Sequence, residues 1–540
     1  MKKQILSTAI LAVLASANAQ AAAVTGPTID PSTTTTLYIG GASAQRTYIQ
    51  EAVTGTAGSG VTLAAADKLC DTTQPIYWWG DNNGTNAAGK NYDAWYCTKQ
   101  PSNTALASAK AHLLIHKRSA GGSDFGVAPI VNPQNVGFLN IANSNCTDNG
   151  TSTVAGISTV QLLCSSSTLV NATPDLGVSD VDPGKFVGLN VTAGSINGTP
   201  FSAIKASDLA KITVKSTSTV VFGEQVTSHL FNALQQAQIA TGYLAAGCAG
   251  QHTEACLPSL SSATIAALHT GVAYDWDLIQ VGNTGLGLYS WASANDAADA
   301  PFASSVHIVR RANGSGTQAQ HGIHFLNYPC DTTAAGVTLP ANDVGQSEGV
   351  EGYVIHEASS AGNVNASLKA LDTATSSSAL ATGTHAAGDF TSGVRWAVGL
   401  NSLEQTTNAN YEFVKIDGVA PTLANVVAGK YHDWAENTFQ YNSVGGHPVT
   451  TDVAAVRDAL IAKAARPEVL SALNTTLTHA FGNGAYLATP SLYPITTGSA
   501  TYNATSPINV FSLAPNGSTV DNCRVPTPYN DGTDAPSFSL

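Results

Sequence analysis

A chain of 540 residues exceeds what one hydrophobic core can organise, so at least two domains are expected. A formal net charge of −13, with only 11% charged residues, leaves no basic stripe and argues against nucleic acid as a partner. No apolar run beyond the first residues approaches bilayer-spanning length, so no membrane insertion is expected.

The chain opens with Met1-Lys2-Lys3, an apolar run from Ile5 to Leu14, and small residues at Ala17-Asn18-Ala19 or Ala19-Gln20-Ala21. This pattern predicts a signal peptide over residues 1–21 and export to the periplasm or the medium. The first cysteine is Cys70, which argues against a lipid anchor near the cleavage site. Loss of Lys2 and Lys3 with the signal takes the charge from −13 to −15.

Leu37-Tyr38-Ile39 then reads as a strand entering a small-residue turn at Gly40-Gly41-Ala42-Ser43-Ala44. Next come His116-Lys117-Arg118 and a glycine-rich stretch offering Ser119, Ser123 and Asp124. Asp124 reads either as a turn former or as a hydrogen-bond acceptor for a ligand. Thr33 to Thr36, Asn82 to Lys90, Ser144 to Ser167 and Ala374 to Gly388 lack periodicity and are rich in small polar residues, so surface loops are expected there. A helical pattern over Leu260 to Gly271 follows, with Trp276-Asp277-Leu278 beyond it.

The most informative stretch runs from His307 to Thr317. His307-Ile308-Val309 suits a strand end, and Ala319, Ile323 and Leu326 fall at helical spacing, so Asn313-Gly314-Ser315-Gly316-Thr317 is predicted to open a helix. A helix N-terminus exposes unpaired N–H groups that attract anions. Gly314 and Gly316 permit close approach, Ser315 and Thr317 add hydroxyl donors, and Arg311 supplies a planar fork. A plain helix cap is the alternative. Later, Val453, Val456 and Leu460, then Val469, Leu470 and Leu473 after Pro467, predict two core helices.

The eight cysteines form an even set in an exported chain, and none makes a Cys-x-x-Cys pair, so disulfides are expected. Sequence leaves connectivity open. Pairing Cys70 with Cys97, Cys146 with Cys164 and Cys248 with Cys256 closes short loops and leaves Cys330 with Cys523 as a long-range staple.

Taken in order, the segments Leu37 to Ala44, Leu260 to Gly271, Arg311 with Gly-Ser-Gly-Thr, Ala397 to Leu400, and Lys415 to Thr422 with Gly429-Lys430-Tyr431 resemble the phosphate-binding proteins of bacterial high-affinity phosphate ABC transporters. The scattered matches span residues 37 to 435. The resemblance implies an α/β, two-lobed periplasmic-binding-protein fold with mixed sheets and crossover strands. Residues 22–130 and 390–540 would form the first lobe and residues 131–389 the second. It also implies a cleft ligand, inorganic phosphate or a related oxyanion, held by Arg311, Ser315, Gly316, Thr317, Ala42, Ser43, Ser119, Ser123 and Asp124. A monomer is expected, with an ABC permease as a possible partner and no cofactor.

Enzyme motifs are missing: no Gly-x-Ser-x-Gly, no His-Glu-x-x-His, no P-loop with lysine. His321 and His324 lack a nearby acidic residue in sequence and are expected to bind no metal. Catalysis is not predicted. A secreted structural or adhesive protein that keeps the fold without a ligand is the alternative reading.

Overall fold

The computed structural model describes residues 25–55, 64–82, 91–154, 156–196, 199–331, 341, 348, 352–406, 408–493, 501–515 and 519–529. The expected signal peptide and the segment 83–90 lie outside the described residues. The main strands are β1 (Thr34–Gly41), β2 (Ile76–Asp81), β3 (Tyr92–Thr98), β4 (His112–Arg118), β5 (Cys146–Val154), β6 (Ile157–Cys164), β7 (Leu176–Ser179), β8 (Ile212–Thr227), β9 (His307–Arg311), β10 (Val354–Ala358), β11 (Ala397–Ser402) and β12 (Trp434–Asn442). They run in the order β10-β9-β11-β8-β12-β7-β1-β4-β3-β2-β6-β5. The fold is therefore α/β on a large mixed sheet.

Two parallel groups flank an antiparallel middle, and their strands are buried as parallel strands usually are. β1 pairs in parallel with β4 and with β7, and Leu37 and Ile39 on it are fully buried. β9 likewise lies parallel between β10 and β11.

β8 joins these two groups. From Ile212 to Val221 it pairs antiparallel with β12, and from Phe222 to Val226 it pairs antiparallel with β11. The chain thus passes from one group of strands to the other between Val221 and Phe222, while β12 returns alongside.

The helices that matter here are α1 (Arg46–Thr54), α2 (Ser228–Ala240), α3 (Ser262–His269), α4 (Gly316–Leu326), α5 (Ala361–Thr373), α6 (Thr451–Ala464) and α7 (Pro467–Asn474). α6 and α7 match the two C-terminal patterns, with Val456, Leu460, Val469, Leu470 and Leu473 buried. Pro467 starts α7, where its missing N–H costs nothing. One core takes in Leu37, Ile39, Phe222, Val226 and Leu460, and a second gathers Val309, Val354, Val364, Leu368 and Phe390 under α5.

Two expectations change. Thr34 to Thr36 belong to β1, and Ser144 to Ser167 is mostly the hairpin β5–β6, not a loop. The polar residues misled because one face of the hairpin is open to water. Ile157 and Leu162 still face inward, and β6 runs parallel with β2. Strand pairing joins β6 to β2 and β7 to β1. Ala374 to Gly388 carries only a single short turn of helix at Ser378–Leu380. All four cysteine pairs form: 70–97, 146–164, 248–256 and 330–523.

Candidate functional site

Arg311 ends β9, and the turn after it leads into α4. Ser315 caps that helix by accepting the Gln318 N–H at 3.3 Å. Gly314 has φ +92°, and a Cβ there would lie 2.0 Å from Thr192 Oγ1. A Cβ on Gly316 would lie 2.3 Å from Ser123 Oγ, so both positions exclude larger residues.

The Arg311 side chain is 1% exposed. Its Nη1 donates to Thr317 Oγ1 at 3.4 Å and its Nη2 to the Ser359 carbonyl at 3.4 Å. Nε has no hydrogen-bond partner among the described residues. Burial pulls the guanidinium down to about 10, while Asp180 and Glu404 act to hold its charge.

The opposing wall comes from the ends of β1, β4 and β7. Lys117 is fully buried, and its Nζ donates to the carbonyls of Gly41, Ala42 and Arg118 at 2.8, 3.0 and 2.8 Å and to Ser119 Oγ at 3.1 Å. Burial draws this amine down to about 7, and four oxygens compete for an ammonium's three N–H donors, so one N–H is shared. Ser119 therefore serves Lys117. The Ala42 amide is also engaged, donating to the Val178 carbonyl at 2.9 Å. Ser43 Oγ, by contrast, is buried with no partner among the described residues.

Ser123 and Asp124 reach the second wall. The Asp124 amide donates to the Gly314 carbonyl at 2.9 Å, joining the two glycine-rich turns. Its carboxylate accepts the Thr192 N–H at 2.9 Å through Oδ2, and burial raises it to about 6. Ser123 Oγ accepts the Asp180 N–H at 3.1 Å.

Asp180 escaped the sequence reading. It follows β7 directly and is 2% exposed. Thr317 Oγ1 donates to its Oδ2 at 3.4 Å, and its Oδ1 has no partner among the described residues. Burial raises this carboxyl to about 6 against the pull of Arg311. The available signal was Leu176-Gly177-Val178-Ser179, a short apolar run closing on an acidic residue. In α/β sheets, ligands gather at the carboxyl ends of strands.

A crevice opens beside Ser43. Ser43, Arg46 and Thr47 line one side, Ser360, Ala361 and Gly362 the other, with Glu404 and Gln405 between. Its volume of about 10 Å³ matches a single water. Ser360 caps α5, and α1 starts at Arg46, so two helix N-termini face the crevice while α4 starts beside Arg311. Arg46 is held by Asp93 at 2.6 and 2.7 Å.

No family model matches this chain, and no curated protein does. Among solved structures, it is similar to a putative phosphate ABC transporter substrate-binding protein with bound phosphate from Clostridium perfringens, at 11% identity and a TM-score of 0.35, covering 81% of this chain and 98% of that one. It is also similar to a phosphate-binding protein from Stenotrophomonas maltophilia, at 10% identity and a TM-score of 0.32, covering 79% and 83%. A third is an ABC-type phosphate transport receptor from Vibrio cholerae, at 11% identity and a TM-score of 0.26, covering 54% and 74%.

No described helix is long and apolar enough to cross a membrane. A second polar cluster lies deeper, where Glu224, His269 and His321 converge. His321 thus has the acidic neighbour that its sequence surroundings lacked.

Proposed function

We propose that this chain is an exported solute-binding protein that captures inorganic phosphate, or a similar tetrahedral oxyanion, between two hinged lobes. The observation that carries this reading is a set of unsatisfied groups, two of them, on Arg311 and Asp180, bridged by Thr317 Oγ1 and the third on Ser43 at the crevice. Arg311 Nε and Ser43 Oγ are donors, Asp180 Oδ1 is an acceptor, and each is buried without a partner among the described residues. Leaving such groups dry costs about 1–3 kcal/mol apiece, a cost that a ligand offering oxygens and a proton removes.

Within this reading, Arg311, Ser43, Thr317 and the N–H groups at Gly316 and Thr317 hold the anion's oxygens, and Ser315 shapes the turn. Asp180 takes the selecting role that sequence reasoning gave to Asp124. An ionised carboxylate only accepts, so it favours an oxyanion that still carries a proton and disfavours sulfate. Ser119, Ser123, Asp124 and Ala42 act as supports. Lobe movement about the β8 and β12 crossings is required, because a crevice of about 10 Å³ is too small to admit the ligand. Strand pairing favours a first lobe reaching to the β8 crossing and resuming at β12. Delivery to an ABC permease or retention as a scavenger both follow from capture.

Equilibrium dialysis of the full mature chain with labelled phosphate, with and without excess sulfate, tests the proposal. Saturable binding that resists sulfate is expected. No saturable binding would favour the secreted structural reading instead.

A further inference from the structure

The cluster of Glu224, His269 and His321 is separate from the crevice groups and is used by nothing described above. Each of the three offers a donor atom within 4.8 Å of the others, and all three are buried. They come from three elements: Glu224 from β8, His269 from the end of α3, and His321 from α4.

Its hydrogen bonding is incomplete. His269 Nε2 and Glu224 Oε1 are 2.7 Å apart, which accounts for one bond. Glu224 Oε2 and His321 Nε2 have no partner among the described residues, although both residues are at least nine-tenths buried. The rings of His269 and His321 meet edge to face, with centroids 4.2 Å apart. A structural histidine–glutamate pair needs only the first bond. It leaves unexplained why a second imidazole nitrogen and a second carboxylate oxygen stand bare at the same place, in a core where orphaned polar atoms are rare.

We propose that Glu224, His269 and His321 form a binding site for one divalent transition-metal ion of borderline softness, with zinc as the type. Two imidazoles and a carboxylate are a donor set that zinc accepts, at about 2.0–2.2 Å from the ion. Donors so placed stand roughly 3.3–3.6 Å apart in a tetrahedron, so the three, now within 4.8 Å of one another, must rearrange around the ion. Glu224 and His269 part slightly, the proton between them leaves to solvent on loading, and His321 draws in. Asp433, just before β12, has an Oδ1 that also lacks a partner among the described residues, and it interacts electrostatically with Glu224.

The placement gives the ion a task. Glu224 lies two residues past Phe222, where β8 changes neighbours, and the Phe222 N–H donates to the Asp433 carbonyl at 2.9 Å. His321 lies on α4, whose first turn carries Gly316 and Thr317. An ion here pins the first turns of α4 to the strand that crosses between the halves. The site stands whether or not the crevice takes phosphate.

The test uses the full mature chain, freed of metal by chelator and supplied with zinc or cobalt(II), once folded and once during refolding. Expected is one equivalent bound per chain by elemental analysis, with visible cobalt bands of a low-coordinate site and two imidazole ligands by X-ray absorption. Glu224→Gln and His321→Ala should each weaken zinc binding at least about tenfold, while His324→Ala on the same helix leaves it unchanged. Failure of the wild type to bind a stoichiometric ion under either regime overturns the proposal. So does full retention by the Glu224→Gln/His321→Ala double variant. If the variants do not fold, the wild-type absorption spectrum decides, and fewer than two imidazoles sinks the assignment.

Discussion

The Asp180 N–H donates to Ser123 Oγ at 3.1 Å, and this bond sets the strand end of β7 so that the Asp180 carboxylate reaches Thr317 and the field of Arg311. Asp124, one residue beyond Ser123, gives Oδ2 to the Thr192 amide and keeps a bare Oδ1 as Asp180 does, but it has no hydrogen bond to Thr317 or Arg311 among the described residues. Asp180→Asn is therefore expected to admit sulfate, narrowing the phosphate preference by on the order of 2 kcal/mol, or about 30-fold. Asp124→Asn should leave that preference in place. Competition dialysis with both anions checks the pair, and the reverse ranking would restore Asp124 as the selecting group.

Arg311 supplies the buried positive charge. Replacing it with alanine leaves Asp180 without its main countercharge and the anion without its fork. Phosphate affinity should fall by about 2–5 kcal/mol, beyond detection in ordinary dialysis. Arg311→Lys keeps the charge but not the planar geometry and should recover only part of the affinity. Titration calorimetry on the two variants distinguishes charge from shape.

The contiguous pieces of this site were legible in the sequence because local rules produce them. Arg311 to Thr317 is one strand end, one turn and one cap, and periodicity with glycine placement is enough to read it. The strand ends at Leu37 to Ile39 and His307 to Val309 follow from the same kind of pattern, but which strands pair with them does not. Asp180 and Glu224 were not legible, because their roles depend on which strand ends and helix turns lie beside them. Glu224 meets His269 and His321 across 45 and 97 residues, and no spacing rule reaches that far. The hairpin of β5 and β6 was missed because its serines and threonines read as loop residues, while pairing with β2 made them strand.

Lys117 holds the Gly41-Ala42-Ser43 turn. Its Nζ meets three carbonyls and a hydroxyl in a fully buried setting. Lys117→Met keeps the stem but strands those acceptors, so a loss of about 2–4 kcal/mol in stability is expected. The Gly41-Ala42-Ser43 turn should loosen with it, and phosphate binding should weaken even though Lys117 touches no ligand. Urea unfolding and dialysis on the same variant test both effects.

The disulfide between Cys330 and Cys523 fastens the C-terminal segment near the end of α4. The neighbouring Asn522 exchanges two hydrogen bonds with Asp182, at 2.8 and 2.9 Å, and Asp521 pairs with Lys185 at 2.5 Å. The tail thereby clamps the segment that follows Asp180. Changing both cysteines to serine should cost about 2–5 kcal/mol, since the closed loop is long. The tail should also become open to limited proteolysis before the rest of the chain unfolds.

The pH response of Asp180 follows from its burial, which raises its carboxyl from 3.8 to about 6. Folding thus favours the protonated form, and the folded state binds more protons than the unfolded one between about pH 4 and 6. The contribution of this group to stability therefore grows as pH falls through 6 and is lost as pH rises through it. Asp180→Asn removes the term, so the variant should exceed the wild type by about 2–3 kcal/mol at pH 7.5. The two should converge near pH 4. Protonation also turns the carboxyl into a donor, so the wild type should begin to admit sulfate below pH 6. Paired denaturation curves across that range, with sulfate competition at each pH, measure both changes on one group. A stability gap that stays constant with pH would mean that the Asp180 carboxyl titrates at its ordinary value.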